Sequence, residues 1–201
     1  MNEKVSIHAV ETLAEGWGTL RSYDITHPKT NGGSQRVKRE VYDHGNAAAV
    51  LLVDPRSACV VLVRQFRLPP HLNGDNPSFV EACAGLLDGD LPEDCARREA
   101  EEETGYAPTH LEHLFDIYFS PGSLSEKCSC FIGCITQGEK HSAGGGVADE
   151  SEDIEILEMT LEDATNMVAA GEILDGKTIL MLQWLALNPG WMERQQASLD
   201  T

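Results

Sequence analysis

The feature that most constrains this chain is a glycine-rich loop leading into a helix crowded with carboxylates, between Ala84 and Tyr106. Pro92 can begin that helix, because a proline in the first turn gives up no hydrogen bond. Gly105 can end it, because glycine readily adopts the left-handed conformation that closes many helices. The stretch therefore predicts a loop–helix unit whose helix runs from Pro92 to Thr104.

Three glutamates share one face of this predicted helix. Glu99 and Glu103 are four residues apart and Glu102 is three from Glu99, while Ala96 and Ala100 form a small apolar stripe for packing on a sheet. Like charges at these spacings destabilise a helix by about 0.2–0.5 kcal/mol per pair. A solvated surface tolerates that cost. A bound Mg²⁺ ion, which takes carboxylate oxygens, would offset the repulsion between the glutamates. From the spacing alone, a solvated acidic face is the favoured interpretation, and a metal site is the alternative.

Strand patterns dominate the first half of the chain and recur after the helix. Strands are predicted at residues 17–27, 34–44, 47–54, 59–68, 79–85, 110–119, 126–136 and 153–160. The first two flank an Asn-Gly-Gly turn and predict an antiparallel hairpin, whereas 69–78 is too rich in Pro, Gly and Asn to be an element. Helices follow at 161–170 and 178–187. The predicted fold class is α+β, a mixed sheet flanked by helices from which the N-terminal hairpin projects.

Charge and hydropathy limit the partners of this chain. Lys and Arg number 15 against 33 Asp and Glu, so the formal net charge is −18. That balance disfavours nucleic acid and an anionic membrane surface, and an anionic ligand would need cations to be held. No apolar run approaches the ~18 residues of a membrane span. The first residues lack a basic segment followed by an apolar one, so no secretory signal is expected.

The cysteines indicate a reducing compartment. Six are present, at positions 59, 83, 95, 128, 130 and 134, mostly in apolar surroundings. Their spacing fits neither a disulfide framework nor paired zinc-binding motifs. They are predicted to be buried, reduced thiols of a cytoplasmic protein.

The loop before the acidic helix decides how its glutamates are interpreted. Ala-Gly-Leu-Leu-Asp-Gly-Asp, then seven residues, then Arg-Glu-Ala-Glu-Glu-Glu-Thr-Gly-Tyr closely resembles the Nudix box. The family has five residues between the first glycine and a glutamate, whereas here four residues separate Gly85 from Asp90. The resemblance implies a Nudix fold and Mg²⁺-dependent cleavage of a nucleoside diphosphate linked to another group.

Further stretches are similar to the GDP-mannose pyrophosphatase branch of the ADP-ribose pyrophosphatase-like Nudix enzymes. They are residues 38–46, 63–67, 81–88, 120–122, 143–146 and 175–178, so the likeness extends from Trp17 to Leu185. It implies hydrolysis of GDP-mannose to GMP and mannose 1-phosphate by a homodimer in which the N-terminal sheet helps to build the partner's active site. The expected organisation is a dimerisation hairpin at 1–45, a Nudix domain at 46–190 and a polar tail at 191–201.

The resemblance also implies which residues hold metal and assist the reaction. The implied metal is Mg²⁺ or Mn²⁺, held by Glu99, Glu103, the main-chain carbonyl of Ala84 and a carboxylate from a later loop. Candidates for that last carboxylate are Asp149, Glu150 and Glu152, of which Glu152 is favoured by counting back from the next strand. The implied catalytic residues are Glu102, Glu103 and Glu152. The neighbouring glycines, 144–146, are expected to make this loop mobile.

A second set of residues is implied to contact the substrate. Arg67 and Lys177 would hold the phosphates, since arginine offers a planar fork and lysine a compact charge. Trp17 would stack on the base, or else be buried at the dimer interface, and Glu126 would accept from sugar hydroxyls. The remaining implied contacts are Lys38, Arg39 and Glu40 on the second hairpin strand and Ala84, Gly85 and Leu86 in the box loop.

Three other functions compete with this one. ADP-ribose hydrolysis to AMP and ribose 5-phosphate uses the same chemistry and differs in a few contacts to the base and sugar. A non-catalytic Nudix-fold sensor would bind a nucleotide sugar without turnover, but such modules usually lose helix carboxylates that this chain keeps. An RNA-cap hydrolase is disfavoured by the net charge of −18.

Overall fold

The chain divides into two compact units. A computed structural model describes residues 5–147 and 153–199. The first unit consists of Met1–Asn46 with Ile117–Cys128, and the second of Ala47–Asp116 with Ser129–Thr201. The domain boundaries expected after residues 45 and 190 stay predictions.

The first unit contains a three-stranded antiparallel sheet. Its strands are β1 (Ser6–Glu15), β2 (Thr19–Pro28) and β3 (Ser34–Asp43), in that spatial order. The β2–β3 hairpin agrees with the sequence prediction. Strand β1 was not predicted, because register shifts at two places in its pairing with β2 break the alternation by which strands are recognised. The segment Ile117–Cys128 joins this unit through Tyr42, whose amide donates to the Ser123 carbonyl at 2.8 Å.

The second unit is built on a seven-stranded sheet. The strands are β4 (Ala47–Asp54), β5 (Cys59–Phe66), β6 (Ser78–Glu81), β7 (Cys83–Leu86), β8 (His110–Ile117), β9 (Cys128–Cys134) and β10 (Glu155–Thr160). The order is β10-β5-β4-β9-β8, with β6 pairing with β5 and β7 with β4. The single strand predicted at 79–85 is thus two short strands that turn at Ala82 from one neighbour to the other.

Five helices complete the described residues. They are α1 (Leu68–Leu72), α2 (Pro92–Thr104), α3 (Leu161–Ala170), α4 (Gly176–Leu187) and α5 (Pro189–Leu199). Helix α1 corrects the prediction of a plain loop, because prolines in a first helical turn are tolerated. Helix α5 replaces the predicted polar tail. Its Trp191 is 1% exposed and donates from Nε1 to Glu112 at 2.8 Å, so one aromatic anchor holds a largely polar segment. No helix in the described ranges is long and apolar enough to cross a membrane.

The core of the second unit lies between α2 and the sheet. Ala96 and Ala100 are fully buried there against Val50, Val61 and Val63, as the apolar stripe of the helix predicts. Small side chains let the helix approach the sheet closely, which brings the glutamates of α2 next to strand β7. The six cysteines are free and buried, which confirms their interpretation as structural thiols.

Candidate active site

Helix α2 begins and ends as its sequence predicts. Pro92 lies in the first turn with Glu93 and Asp94, whose negative charges favour the positive end of the helix. Gly105 follows the last turn at φ 78° and donates from its amide to the Glu101 carbonyl at 2.9 Å. These boundaries fix which side chains of the acidic segment face the sheet.

Two of the three glutamates are buried on the sheet-facing side of α2. Glu99 is 8% exposed and Glu103 is 1% exposed. The Glu99 carboxylate lies directly against the backbone at Gly85, where any Cβ would overlap it. A glycine is therefore required at this point of the loop by the close approach of a carboxylate.

Glu102 has a different environment and lies at the rim. Arg98 donates from Nη1 to Glu102 at 2.9 Å and contacts Glu99 at 2.8 Å with the same nitrogen. It also reaches Asp90 at 3.4 Å and the Leu86 carbonyl at 3.3 Å. Asp90, the acid of the shortened loop, thus forms an exposed ion pair with the arginine that ties the loop to the helix.

The glycine-rich segment that ends at Gly146 is docked on the end of α2. Gly145 donates to the Glu103 carbonyl at 2.9 Å and Gly146 to the Glu102 carbonyl at 3.0 Å. A Cβ on Gly144 would meet the backbone of Thr104 and Gly105 at 2.5–2.8 Å. The expectation of a mobile loop is wrong for these glycines, because the amides of Gly145 and Gly146 satisfy two of the last carbonyls of the helix and Gly144 packs against its end.

Arg67 and Lys177, the two predicted phosphate contacts, meet at one carboxylate. Glu81 is 4% exposed, and it accepts from Arg67 Nε at 2.6 Å and from Lys177 Nζ at 2.7 Å. Lys177 is itself 7% exposed and lies 3.0 Å from Asp175. The sequence analysis assigned no role to Glu81. A single acid inside the otherwise apolar strand pattern Phe-Val-Glu-Ala-Cys-Ala could have indicated a buried, paired carboxylate.

The electrostatics of this cluster favour the charged forms of Glu81, Lys177 and Arg67. Burial alone would raise the pKa of Glu81, but Lys177 and Arg67 lower it below the usual value. Burial would likewise lower the pKa of Lys177, yet Glu81 and Asp175 raise it. The pKa of Arg67 is also raised overall, by Glu81 and more weakly by Glu103, against a lowering effect of burial. Arg67 therefore lies within electrostatic reach of the buried glutamate on α2.

Trp17 and Glu126, in the first unit, are joined through a histidine. Trp17 is 75% exposed, and one face of its indole stacks on His44 with ring centroids 4.7 Å apart. His44 Nε2 lies 3.6 Å from a carboxylate oxygen of Glu126. Trp17 thus keeps one open face within this unit, and His44 is a neighbour that sequence reasoning missed.

Lys38, Arg39 and Glu40 lie together on strand β3. All three are exposed, with Lys38 and Glu40 on one face and Arg39 on the other, as strand alternation requires. Like Trp17 and Glu126 they belong to the first unit, whereas Arg67, Lys177 and the α2 glutamates belong to the second.

The described residues contain part of the predicted metal site. Within 5–147 and 153–199, no three His, Cys, Asp or Glu side chains converge as a metal-binding group. The third predicted carboxylate, Glu152, lies outside the described residues, as do Asp149 and Glu150. Two buried carboxylates beside the loop backbone nevertheless fit Mg²⁺, which uses one or two carboxylates together with water and substrate phosphate. The donor chemistry of Glu99 and Glu103 is thus suited to a hard divalent ion.

Comparison with known families agrees with this arrangement of loop, helix and sheet. Residues 43–180 match the model of the NUDIX domain, and residues 4–42 match the model described as the GDP-mannose pyrophosphatase NudK N-terminal domain. The chain belongs to the Nudix hydrolase family. It is therefore a Nudix hydrolase, an enzyme class that requires divalent metal ions.

Curated relatives extend the similarity over nearly the whole chain. A protein of Citrobacter koseri named GDP-mannose pyrophosphatase is 45% identical over 188 residues, covering 92% of this chain and 96% of the relative. Proteins with the same name from Enterobacter sp. (strain 638) and Escherichia coli O1:K1 are 45% and 42% identical, each over 94% of this chain. A solved structure titled as an ADP compounds hydrolase shares the fold, with a TM-score of 0.66 at 22% identity, over 92% of this chain and 95% of the other.

Proposed function

We propose that this protein hydrolyses GDP-mannose to GMP and mannose 1-phosphate with Mg²⁺ or Mn²⁺. The observation that carries the proposal is the burial of Glu99 and Glu103, at 8% and 1% exposure, beside the box-loop backbone. Arg98 supplies one positive charge to Glu99 at 2.8 Å, and two buried carboxylates on one helix face also offer the oxygen ligands that a divalent ion prefers, so their retention favours an ion-dependent enzyme over a sensor. The curated relatives with this name, at 42–45% identity, support the choice of substrate.

Glu99, Glu103 and the Ala84 carbonyl would hold the metal, with Glu152 as a further ligand. When bound, the divalent ion would neutralise diphosphate charge and lower the pKa of a water molecule. Glu102, which pairs with Arg98 at 2.9 Å at the rim of the site, would help Glu99 and Glu103 to organise the metal. Glu152 would accept the proton of the attacking water, so that one phosphorus–oxygen bond of the diphosphate is broken by hydrolysis.

The remaining residues would bind and orient the nucleotide sugar. Arg67, whose side chain is 41% exposed, would donate to the phosphates from the guanidinium edge that faces away from Glu81. Trp17 would stack on the base through its open face, and Glu126 would accept from sugar hydroxyls. The other proposed contacts are Ala84, Gly85 and Leu86 of the box loop and Lys38, Arg39 and Glu40 of strand β3. Lys177 would add positive charge from its buried position beside Glu81.

We also propose that the protein is a cytoplasmic homodimer formed through its N-terminal sheet. Strand β1 is exposed along its whole length and carries three large apolar residues, Ile7, Val10 and Leu13, which together with Val5 just before the strand are each 44–61% exposed. Such a row is unfavourable in water and is typical of a surface that another chain covers. Six free cysteines favour a reducing compartment, and the net charge of −18 disfavours nucleic acid as a partner.

The experiment is incubation of the purified protein with Mg²⁺ and a panel of nucleotide sugars together with ADP-ribose, with products identified by mass. GMP with mannose 1-phosphate as the dominant pair is expected. AMP with ribose 5-phosphate would replace the proposed substrate with ADP-ribose and keep the hydrolase. Binding without turnover of any compound would instead support a sensor.

A further inference from the structure

We propose that Glu81 is a positioning residue that fixes the Arg67 guanidinium for the substrate phosphates and is itself held by Lys177. This inference rests on the proposed hydrolysis of a nucleotide sugar and adds a residue to its binding machinery. It also changes the expected role of Lys177, from a direct phosphate contact to a support for Glu81.

The first step is the geometry between Arg67 and Glu81. Arg67 donates from Nε to one carboxylate oxygen at 2.6 Å and from Nη2 to the other at 3.4 Å. This two-point contact occupies one edge of the planar guanidinium and fixes its plane. Within residues 5–147 and 153–199, Arg67 Nη1 makes no hydrogen bond or ion pair. Because the side chain is also 41% exposed, the guanidinium edge opposite Glu81 is available to an anion.

The second step is the environment of Lys177. Its side chain is 9% exposed, and its ammonium lies 2.7 Å from Glu81 and 3.0 Å from Asp175. A buried ammonium between two carboxylates is already paired and poorly placed to reach a dissolved ligand. The ammonium is well placed to hold the Glu81 carboxylate from the side opposite Arg67.

The third step is the anchoring of this cluster in the fold. Asp175 caps helix α4 by accepting from the Thr178 amide at 3.0 Å, and Thr178 Oγ1 accepts from the Ala82 amide at 2.7 Å. The end of strand β6 is therefore tied to the start of α4 at Glu81, through Lys177, and at Ala82, through Thr178. Because both elements are rigid, the carboxylate is a fixed reference for the half-exposed arginine.

The fourth step is the balance of charge. Arg67 and Lys177 contribute two positive charges, and Glu81 and Asp175 contribute two negative ones. Without substrate the cluster is neutral, which makes its burial tolerable. The charge of Glu103 on α2 also contributes to raising the pKa of Arg67, so the guanidinium lies within electrostatic reach of one predicted metal ligand. A diphosphate bound to a metal ion at Glu103 would need a further positive charge, which the Arg67 guanidinium could supply.

The test is a double-mutant cycle between Glu81→Gln and Arg67→Ala, with GDP-mannose kinetics and calorimetric binding of GDP as readouts. Loss of positioning should raise KM and the GDP dissociation constant about 10-fold in Glu81→Gln while kcat changes less than about 3-fold. On the Arg67→Ala background the same change should add less than about 2-fold, since the two residues act as a unit. Equal effects on both backgrounds, or an unchanged KM, would overturn the proposal.

Controls separate positioning from loss of structure and from a wrong substrate. Glu93→Gln removes a comparable carboxylate–arginine pair, Glu93 with Arg97 at 3.0 Å, on an exposed part of α2, and should leave KM unchanged. If Glu81→Gln does not fold by circular dichroism, the cycle uses Glu81→Asp, which keeps the charge on a shorter side chain and should give a smaller rise in KM. If the wild type cleaves only ADP-ribose, the proposed substrate is wrong, and the cycle on ADP-ribose still decides the role of Glu81. Failure of the wild type to bind GDP or any substrate would overturn both proposals.

Discussion

The amide of Gly145 donates a hydrogen bond to the main-chain carbonyl of Glu103, with a nitrogen–oxygen distance of 2.9 Å. The same short segment therefore leads toward the predicted catalytic loop and closes the helix that carries the predicted metal ligands. Gly144, Gly145 and Gly146 have φ values of 65°, 99° and 84°, which side chains rarely adopt. The position of Glu103 thus depends on a loop that is distant from it in sequence.

Replacing Gly144 by alanine should disturb this junction. Its Cβ would overlap the backbone of Thr104 and Gly105, so the last turn of α2 must shift or the segment must detach. Gly138→Ala is the matched control, because φ is 84° there but nothing lies within 4 Å of the added Cβ. We expect Gly138→Ala to cost about 1–2 kcal/mol of unfolding free energy. Gly144→Ala should cost a further ~1–3 kcal/mol and lower kcat.

Urea unfolding and steady-state kinetics on both variants provide the measurement. Equal losses of stability and activity in Gly144→Ala and Gly138→Ala would show that the docking on α2 is unimportant.

Replacing Glu103 by glutamine should remove turnover while the fold remains. Glutamine keeps the size of the side chain but not the charge that a divalent ion needs, so kcat/KM should fall by ~100-fold or more. Mg²⁺ should raise the melting temperature of the wild type, because a ligand that binds only the folded state stabilises it. That rise should be lost in the variant.

Glu101→Gln is the control on the same helix, since Glu101 is exposed and faces away from the sheet. Thermal unfolding with and without Mg²⁺ gives a readout that does not depend on activity. Full activity in Glu103→Gln would exclude this residue from the mechanism.

The stability of the protein should depend on pH through Glu81. Its folded-state pKa lies below the ordinary value of 4.5, so the carboxylate stabilises the fold above that pH and loses this contribution as pH falls through the lowered pKa. Hydrogen bonds to charged groups are each worth about 1.5–3 kcal/mol, which sets the scale of the loss. The difference in unfolding free energy between wild type and Glu81→Gln should therefore be largest near pH 7 and shrink below about 4.5.

Denaturant titrations of both proteins between pH 7 and pH 3 measure this difference directly. Subtracting the variant removes the contribution of other carboxylates. A difference that stays constant over that range would contradict the assigned ion pairs.

Trp17 should report binding of the nucleotide base. Its open face is suited to stacking, and such stacking is worth about 1–3 kcal/mol per base. We expect GDP to quench tryptophan fluorescence in the wild type, and Trp17→Leu to remove the quenching and raise KM about 10-fold. Trp184→Phe, a change in helix α4 of the second unit, should keep the quenching. Unchanged quenching in Trp17→Leu would mean that the base binds elsewhere.

Those parts of this protein that depend on local spacing could be predicted from the amino-acid sequence. The bounds of α2, from a first-turn proline to a left-handed glycine, follow from residues within one short stretch. The apolar stripe at Ala96 and Ala100 and the burial of the cysteines follow from patterns of similar range. The Nudix box was recognisable for the same reason, because its chemistry requires fixed offsets along one helix.

The tertiary structure alone decided which distant residues meet. Glu81 and Lys177 are 96 positions apart, and their contact follows from placing the end of β6 beside the start of α4. The docking of Gly145 on Glu103 likewise needs a turn of the chain that no local pattern encodes. Strand β1 escaped prediction because its irregular pairing hides the alternation, and α5 because one buried tryptophan outweighs a polar composition. In each case the structure is decided by a contact, or by the burial of a side chain, that forms only when separate elements assemble.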